Sequence, residues 1–548
     1  MHENDEELRW RLEVLKAQLE SGKIYIADHL VDDLKKSLGA VRYSLDGRID
    51  LATVDSRVRS MSLVTAFMHQ RDKAKAAISL IDISRMYFEF VEKNLGFLAK
   101  QASENSLDAA EFASAIISIP AAVDELSTNA SKFLEALGEF WDSVADSSHY
   151  HLQDLMASKA IFGGDLFPSY TQNIASSVGL YIDTIILGDP FWNSKHVFDH
   201  GSAKQKAFYL AKHAINVLQY RDLATEDFPK PIVVFSPFRS SIDDDEKSFL
   251  QRIATEDGLK HASALYGRQF KTIEELKEFS ALLDTPEKVM STLVDPSRLL
   301  FDTEWTEPLQ AQIRRALNGE WGELTNDPHA GRMIAGQCFG RMGQATDLLL
   351  KSRYLSGVPL IDAPTSWQYF NWKLEYNSAL TPEHQAHLHM VKGLQHVAQS
   401  DEQWLGKIPP EALIEMRKEG AFEEIRNVLG SGVEELAIAN PTGFFRTSDK
   451  IVDNIRNAFA DHMKEVSNLR KKKIKFAGYD VGSMLIAGGI DITSIIAGTP
   501  TFGAASFAVN QLVDAPKLRD IPERYRTLKN AHNELRKSPM GMFFRHRK

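Results

Sequence analysis

Apolar residues recur at helical spacing along most of this chain, and the pattern predicts a mainly helical protein. Near the amino terminus Leu8, Leu12, Leu15 and Leu19 fall on one face of a helix, and residues 1–150 continue in the same way. We expect this region to be a helical bundle domain. Because it contains no catalytic motif, we interpret it as a scaffold or interaction domain.

A different pattern occupies residues 151–375. Three short apolar runs, Leu180–Leu187, Pro231–Phe235 and Val358–Ile361, are separated by stretches of helical periodicity. Short strands that alternate with helices predict a small parallel or mixed sheet. We therefore expect a mixed α/β domain at 151–375, followed by a helical domain at 376–470.

The stretch least like a solvated amphipathic helix lies at residues 471–513. It opens with Lys471, Lys472 and Lys473, continues as a Gly- and Ala-rich apolar run, and turns at a Gly-Thr-Pro break into a shorter apolar arm. We interpret 471–548 as a Gly-rich apolar helical hairpin followed by a basic tail. As a helix, Ala477–Gly498 would be about 33 Å long, which is enough to cross a bilayer.

Two features of this hairpin oppose a permanent membrane span. Asp491, near the middle of the run, costs roughly 2.5–3.5 kcal/mol on insertion scales, and the second arm is too short to span. Gly478 and Gly482 have G-x-x-x-G spacing and, with Gly488, allow close helix approach, while each of the three lysines contributes about 1 kcal/mol near anionic lipid. The stretch is therefore either a buried hairpin or one that is released to a membrane or a protein partner.

Charge and cysteine content narrow the possible partners and compartments. The formal net charge is −10, so the surface as a whole does not indicate a nucleic-acid partner. Cys338 is the single cysteine, which excludes an intramolecular disulfide and a Cys-based zinc site. The first residues lack the apolar core of a signal peptide. We expect a cytoplasmic protein that binds protein partners and contacts an anionic membrane surface conditionally.

Aspartates at the ends of the predicted strands are the main candidates for catalysis. The carboxyl edge of an open α/β sheet is where ligands bind, and clustered carboxylates there could hold a divalent metal. The alternative function is thus a metal-dependent, nuclease-like hydrolase. The same residues also suit turns and helix caps. The candidates are Asp183, Asp189, Asp243, Asp244, Asp245 and Asp362.

Four histidines lie close together in residues 382–396. His384 and His387 share one helix face and are the candidate metal ligands, with His389 and His396 nearby. No H-E-x-x-H pattern fixes a third ligand, so a surface or core role is favoured. No cofactor is predicted apart from a divalent metal under the hydrolase alternative.

Three further groups receive structural interpretations. Glu415, Glu419, Arg417 and Arg426 alternate in charge, which is typical of a solvated helix face. Gly336 and Gly340 lie four apart, and their spacing predicts close approach of another element to a helix. The aromatic residues of 367–376 are expected in the core.

YIDTIILGDPF (181–191), PPEALIEMRKEGAFEEIR (409–426) and the Gly-rich segment together resemble uncharacterised bacterial, mostly helical proteins, some of them carried in mobile-element or antiviral-defence gene clusters. The resemblance assigns no residue a role. We expect an intracellular, non-catalytic interaction or effector protein, and the resemblance implies a place in bacterial antiviral defence.

Overall fold

The structure, a computed structural model, is mainly helical and has one small parallel sheet, which confirms the predicted fold class. It describes residues 5–24, 28–45, 48–164, 173–238, 244–303, 305–320, 329–377, 382–399, 402–440, 444–471, 475–476, 479–480 and 521–547. The chain divides into two compact units. One consists of Met1–Glu89 with Lys132–Leu155, and the other consists of Phe90–Ser131 with Met156–Lys548.

The first unit is a set of helices around an apolar core. It contains α1 (Asp5–Glu20), α2 (Asp28–Gly39), α3 (Ser56–Ala77), the start of α4 (Leu80–Glu104) and most of α6 (Pro120–Asp154), while α5 (Ala109–Ile116) belongs to the second unit. Leu8, Leu12 and Leu15 of α1 are buried together with Val58 of α3. Asp55 begins α3 by accepting a hydrogen bond from the Val58 amide at 2.9 Å.

The second unit is built on four parallel strands in the order β3-β2-β1-β4. Ile161 in β1 pairs with Ile186 in β2 on one side and with Pro359 in β4 on the other. Every strand residue is buried, as expected for a parallel sheet covered on both faces. The strands are β1 (Lys159–Phe162), β2 (Thr184–Gly188), β3 (Val233–Ser236) and β4 (Val358–Leu360).

Helices connect the strands, because parallel neighbours need a crossover connection rather than a tight hairpin. The connection from β1 to β2 contains α7 (Ala175–Val178). Between β2 and β3 lie α8 (Pro190–Asn193), α9 (Lys195–His200), α10 (Ala203–Leu218) and α11 (Arg221–Thr225). Between β3 and β4 lie α12 (Asp244–Tyr266), α13 (Ile273–Ala281), α14 (Pro286–Thr292), α15 (Leu309–Arg315) and α16 (Ala330–Tyr354).

The close approach of α12 and α16 corrects the predicted role of two glycines. A Cβ atom at Gly258 of α12 would lie 2.3 Å from the Phe339 ring of α16, so this position requires glycine. Gly336 and Gly340, by contrast, have open space where a Cβ would stand. The prediction that these two let another element approach α16 is therefore wrong.

Between β4 and Lys471 the described elements are helical again, as predicted. Gly420 has a φ of +71° and separates α19 from α20 at the predicted break. Among the described residues, no helix is both long and apolar enough to cross a membrane. The elements are α17 (Pro364–Asn377), α18 (Pro382–Gln399), α19 (Pro410–Lys418), α20 (Phe422–Gly430), α21 (Val433–Ala439), α22 (Phe444–Lys471), β5 (Lys475–Phe476), β6 (Tyr479–Asp480), α23 (Ile521–Lys537) and α24 (Pro539–Phe544).

Candidate functional site

Asp183 lies at the amino end of β2, whereas Asp189 directly follows the carboxyl end of the same strand. At about 3.3 Å per residue the two positions are separated by roughly 20 Å. Ligands of one metal ion must all lie within about 2–3 Å of it. The prediction that Asp183 belongs to the carboxyl edge is therefore wrong, and it shares no metal with Asp189.

Asp183 is instead the centre of a buried ion cluster. Its Oδ2 accepts hydrogen bonds from the Ser158 amide at 2.8 Å and hydroxyl at 3.0 Å, and lies 3.2 Å from Lys230 Nζ and 3.4 Å from Arg426 Nη1. Burial raises the pKa of Asp183, but the Ser158 hydrogen bonds and the Arg426 charge outweigh it, and the pKa lies below its ordinary value. The carboxylate stays ionised and fastens β2 to its neighbours.

Arg417 completes this cluster, so the prediction of a solvated face is wrong for Arg417 and Arg426, whereas Glu415 and Glu419 are exposed as predicted. Its Nη2 donates to the carbonyl oxygens of Ile182 at 2.8 Å and Asp183 at 3.1 Å, and its guanidinium lies 3.5 Å from the centre of the Phe422 ring. Burial lowers the pKa of Arg417 to about 10, while the Asp183 charge opposes that change. The charge alternation in the sequence does not indicate that Arg417 and Arg426 both contact a carboxylate that is distant in the chain.

The remaining aspartates do not form a metal site among the described residues. Asp189 is fully buried and caps α8 by accepting from the Phe191 amide at 2.9 Å. Asp244 and Asp245 are in the first turn of α12, where Asp244 is exposed, and Asp243 lies outside the described residues. Within the described ranges, no group of three His, Cys, Asp or Glu side chains could hold a metal ion.

The histidines of α18 point to different surroundings. His387 Nδ1 lies 3.2 Å from the Tyr181 hydroxyl, and both His384 and His387 are half-buried. His389 is buried, with Nδ1 2.9 Å from the Thr447 hydroxyl and its ring against Phe444. His387 and His389 therefore contact different elements, and no group of three possible metal ligands includes these histidines in the part of the chain that the structure describes.

Sequence reasoning missed a polar group on the carboxyl side of β4. The carbonyl oxygen of Ile361 accepts hydrogen bonds from Trp367 Nε1 at 2.8 Å and from Gln395 Nε2 at 3.1 Å. Lys392 Nζ lies 4.5 Å from the centre of the Trp367 ring. Burial lowers the pKa of Lys392 to about 8, and the charge of nearby Asp362 opposes this. In the sequence, the histidines were the only residues of this stretch that suggested a site, and nothing pointed to Lys392 or Gln395.

Two other pairs of polar side chains are of types that occur in active sites, but both pairs are buried. Ser194 Oγ and His213 Nε2 are 2.9 Å apart, and burial lowers the pKa of His213 to about 3, so this imidazole is neutral. Asp257 forms an ion pair with Lys373, and both side chains are almost fully buried. We interpret both pairs as structural contacts within the helical layers.

The C-terminal region departs from its predicted form where the structure describes it. Lys475–Phe476 and Tyr479–Asp480 pair as antiparallel strands, so the predicted helix Ala477–Gly498 is wrong at Tyr479–Asp480. Lys471 ends α22. The other candidate contact residues, Lys472, Lys473, Gly478, Gly482, Gly488 and Asp491, lie outside the described residues.

The tail beyond this segment is docked, although its composition predicted a basic extension. Met542, Phe543 and Phe544 of α24 are buried. The Phe543 ring centre lies 5.1 Å from that of Trp404, and the Phe544 ring centre lies 5.1 Å from that of Phe459. Two basic tail residues are paired as well: Arg545 contacts Glu415 at 2.9 Å and Arg547 contacts Glu402 at 3.0 Å.

No protein-family model, curated protein or solved structure matches this chain.

Proposed function

We propose that this protein is a non-catalytic interaction or effector protein that acts inside the cell through protein contacts. The observation that carries the proposal is the surface of α3 in the first unit. A second contact element is the Gly-rich segment near the C-terminus, for which the support is its sequence and the anchoring of the helices around it. The resemblance noted above supports a place in bacterial antiviral defence.

Helix α3 is apolar on two faces. Val58, Ser62 and Ala66 form the buried face, which packs against α1. Positions 63, 64, 67 and 68 form a second face, because residues three and four apart are neighbours on a helix surface. We call Leu63, Val64, Phe67 and Met68 the α3 apolar face; their exposed fractions range from 43% to 62%.

Exposed apolar residues carry meaning when they are contiguous. Single exposed side chains such as Leu282, which is 69% exposed, are normal on a protein surface. A contiguous apolar set is typical of a protein contact, since covering it removes apolar area from water at about 25 cal/mol per Å². The α3 apolar face is therefore best suited to a partner with a complementary apolar surface.

Changing the α3 apolar face should remove a partner without unfolding the chain. We expect a protein that co-purifies with the wild type to be absent from the double variant Val64→Lys, Phe67→Glu. The reason is that the two new charges would be buried without charge partners in the complex. Quantitative mass spectrometry of affinity-purified complexes from the native host measures this. Leu282→Lys is the matched control and should retain the partner. Equal recovery with both variants would contradict the proposed role of α3.

The Gly-rich segment is flanked by helices that contact one another. α22 packs against α23 and α24, and α24 is buried against α19, α20 and α22. The described helices that precede and follow residues 481–520 in the chain thus belong to one group. A segment that is tethered at both ends loses less conformational entropy when it forms a contact than a free terminus does. This arrangement supports a contact role for the segment.

Liposome flotation tests whether this segment contacts membranes. We expect Asp491→Leu to increase the fraction of full-length protein that floats with vesicles containing anionic lipid, because a central Asp opposes insertion. Asp199→Leu, at an exposed position of α9, is the control and should not change flotation. If neither the wild type nor Asp491→Leu floats, the membrane part of the proposal fails and a protein contact alone remains.

A further inference from the structure

Helix α9, in the second unit, presents two histidines to solvent on one face. His196 and His200 lie four residues apart in this helix, and both are exposed. Side chains at positions i and i+4 are neighbours on a helix surface. The centres of the two imidazole rings lie 6.4 Å apart, and the ring planes meet at 61°. The two rings therefore form an exposed pair, which we call the α9 histidine pair.

Buried neighbours fix the backbone that carries the pair. Val197 and Phe198 lie between the two histidines in the chain, and both are buried. The amide of Gly201 donates a hydrogen bond to the Val197 carbonyl at 2.7 Å and so closes the end of the helix. Because these contacts hold the backbone, a ligand that bridges the pair has to order only two side chains.

The ring nitrogens of the pair are unpaired within the described chain. Among the described residues, neither imidazole takes part in a hydrogen bond, an ion pair or a contact with any other ring. Next to the pair, Lys195 contacts Asp199 at 2.7 Å, so a carboxylate balances the nearest positive charge on the helix. The imidazoles thus present lone pairs to solvent in a locally neutral setting.

Two imidazoles at this spacing suit a metal ion that prefers nitrogen ligands. Imidazole binds Zn²⁺ and other late first-row divalent ions, and histidines four residues apart on a helix can bind one Zn²⁺ together. With Zn–N distances of about 2.0–2.1 Å, the ring centres on a tetrahedral ion lie roughly 5 Å apart. The observed separation of 6.4 Å exceeds this by only roughly 1 Å. Rotation of exposed side chains supplies such a movement.

We propose that His196 and His200 together bind one Zn²⁺ ion at the surface of the second unit. Each ring contributes one nitrogen, and the ion bridges one turn of α9. Two ligands from the chain leave positions on the ion for water or for a donor atom of a bound molecule. This proposal is independent of the α3 apolar face and of the Gly-rich segment.

Isothermal titration calorimetry of the full chain with Zn²⁺ tests the site. We expect one ion to bind per chain with a dissociation constant below about 100 µM. Mg²⁺ in excess should not compete, because it prefers oxygen ligands. Zn²⁺ binding weaker than this limit would overturn the proposal, and so would displacement of Zn²⁺ by Mg²⁺.

Variants locate the ion. His196→Ala with His200→Ala should weaken Zn²⁺ binding by about tenfold or more, and each single change should have most of this effect because the ion needs both rings. The matched control, His384→Gln with His387→Gln, also removes two imidazoles, from α18, and should leave the affinity unchanged. Unchanged affinity in the α9 variant, or an equal loss in the control, would contradict the assigned site.

Thermal unfolding gives a second measurement that does not depend on the heat of binding. An ion that binds only the folded chain raises the thermal midpoint. Zn²⁺ should therefore raise the midpoint of the wild type more than that of His196→Ala with His200→Ala. Without metal, the two midpoints should agree, since both side chains are exposed. An equal rise in both proteins would contradict a site at the α9 histidine pair.

Discussion

Asp183→Ala should destabilise the second unit by about 3–5 kcal/mol. Arg417, Arg426 and Lys230 surround this carboxylate, and removing it leaves positive charge without a counter-charge in a largely buried place. Urea denaturation followed by circular dichroism measures the change. Asp199→Ala is the control, since Asp199 forms an exposed pair with Lys195 that should contribute almost nothing.

A double variant separates the ion cluster from general damage. If Asp183 and Arg417 act together, Asp183→Ala with Arg417→Met should cost clearly less than the sum of the two single changes. If the two costs are additive, the two side chains stabilise the fold separately, and the interpretation of Asp183 and Arg417 as one ion cluster is contradicted. Asp189→Ala offers a further comparison, because loss of this helix cap should cost only about 0.5–2 kcal/mol.

The same cluster fixes the sign of a pH effect. The pKa of Asp183 is lower in the folded chain than in the unfolded chain, where an ordinary Asp has a pKa of about 3.9. Its contribution to stability is therefore complete above that value and declines as the pH falls through the folded pKa. Asp183→Asn should be less sensitive to acid than the wild type over this range.

The second large effect concerns the C-terminal helix α24. Phe543→Ala should destabilise the protein by about 3–5 kcal/mol, because the ring is fully buried against Trp404 and Phe544. Deleting 521–548 should have a larger effect, since it uncovers the apolar side chains that α24 contacts. Thermal unfolding of the full chain and the deletion measures both.

An internal excision is the matched control for that deletion. Replacing residues 481–518 by a short Gly-Ser linker keeps α23 and α24, so we expect the thermal midpoint to stay close to that of the full chain. Equal loss of stability in the deletion and the excision would contradict the role of α24 in the core. A truncation after Lys471 would remove both the Gly-rich segment and α24, so a loss of function could come from either. The excision removes the Gly-rich segment alone.

Local patterns predicted much of the fold. The β-branched runs at Leu180–Leu187 and Pro231–Phe235 cover β2 and β3 except for the last residue of each strand, and Gly420 marks the predicted helix break. The sequence pattern does not predict β1, one of the two inner strands. Its four residues begin with Lys159, a buried lysine, so neither alternation nor a continuous apolar run was visible.

Long-range contacts explain why the site could not be predicted. Asp183 meets Arg417 and Arg426 more than two hundred residues away in the chain. Likewise, Gln395 and Trp367 meet at the Ile361 carbonyl through the path of α17 and α18. Helical periodicity gives the faces of elements but not which faces meet, so a charged residue on a helix has the same pattern whether it is solvated or paired.

The strand order also has a consequence for synthesis of the chain. β1 gains one neighbour when β2 emerges from the ribosome, but its other neighbour begins only at Val358. The intervening roughly 200 residues take about 10–40 s to translate at 5–20 residues per second. During that interval one side of β1 has no strand to pair with, and unpaired strand edges promote aggregation. Slowing translation between β1 and β4 should therefore raise the demand of this protein for chaperones.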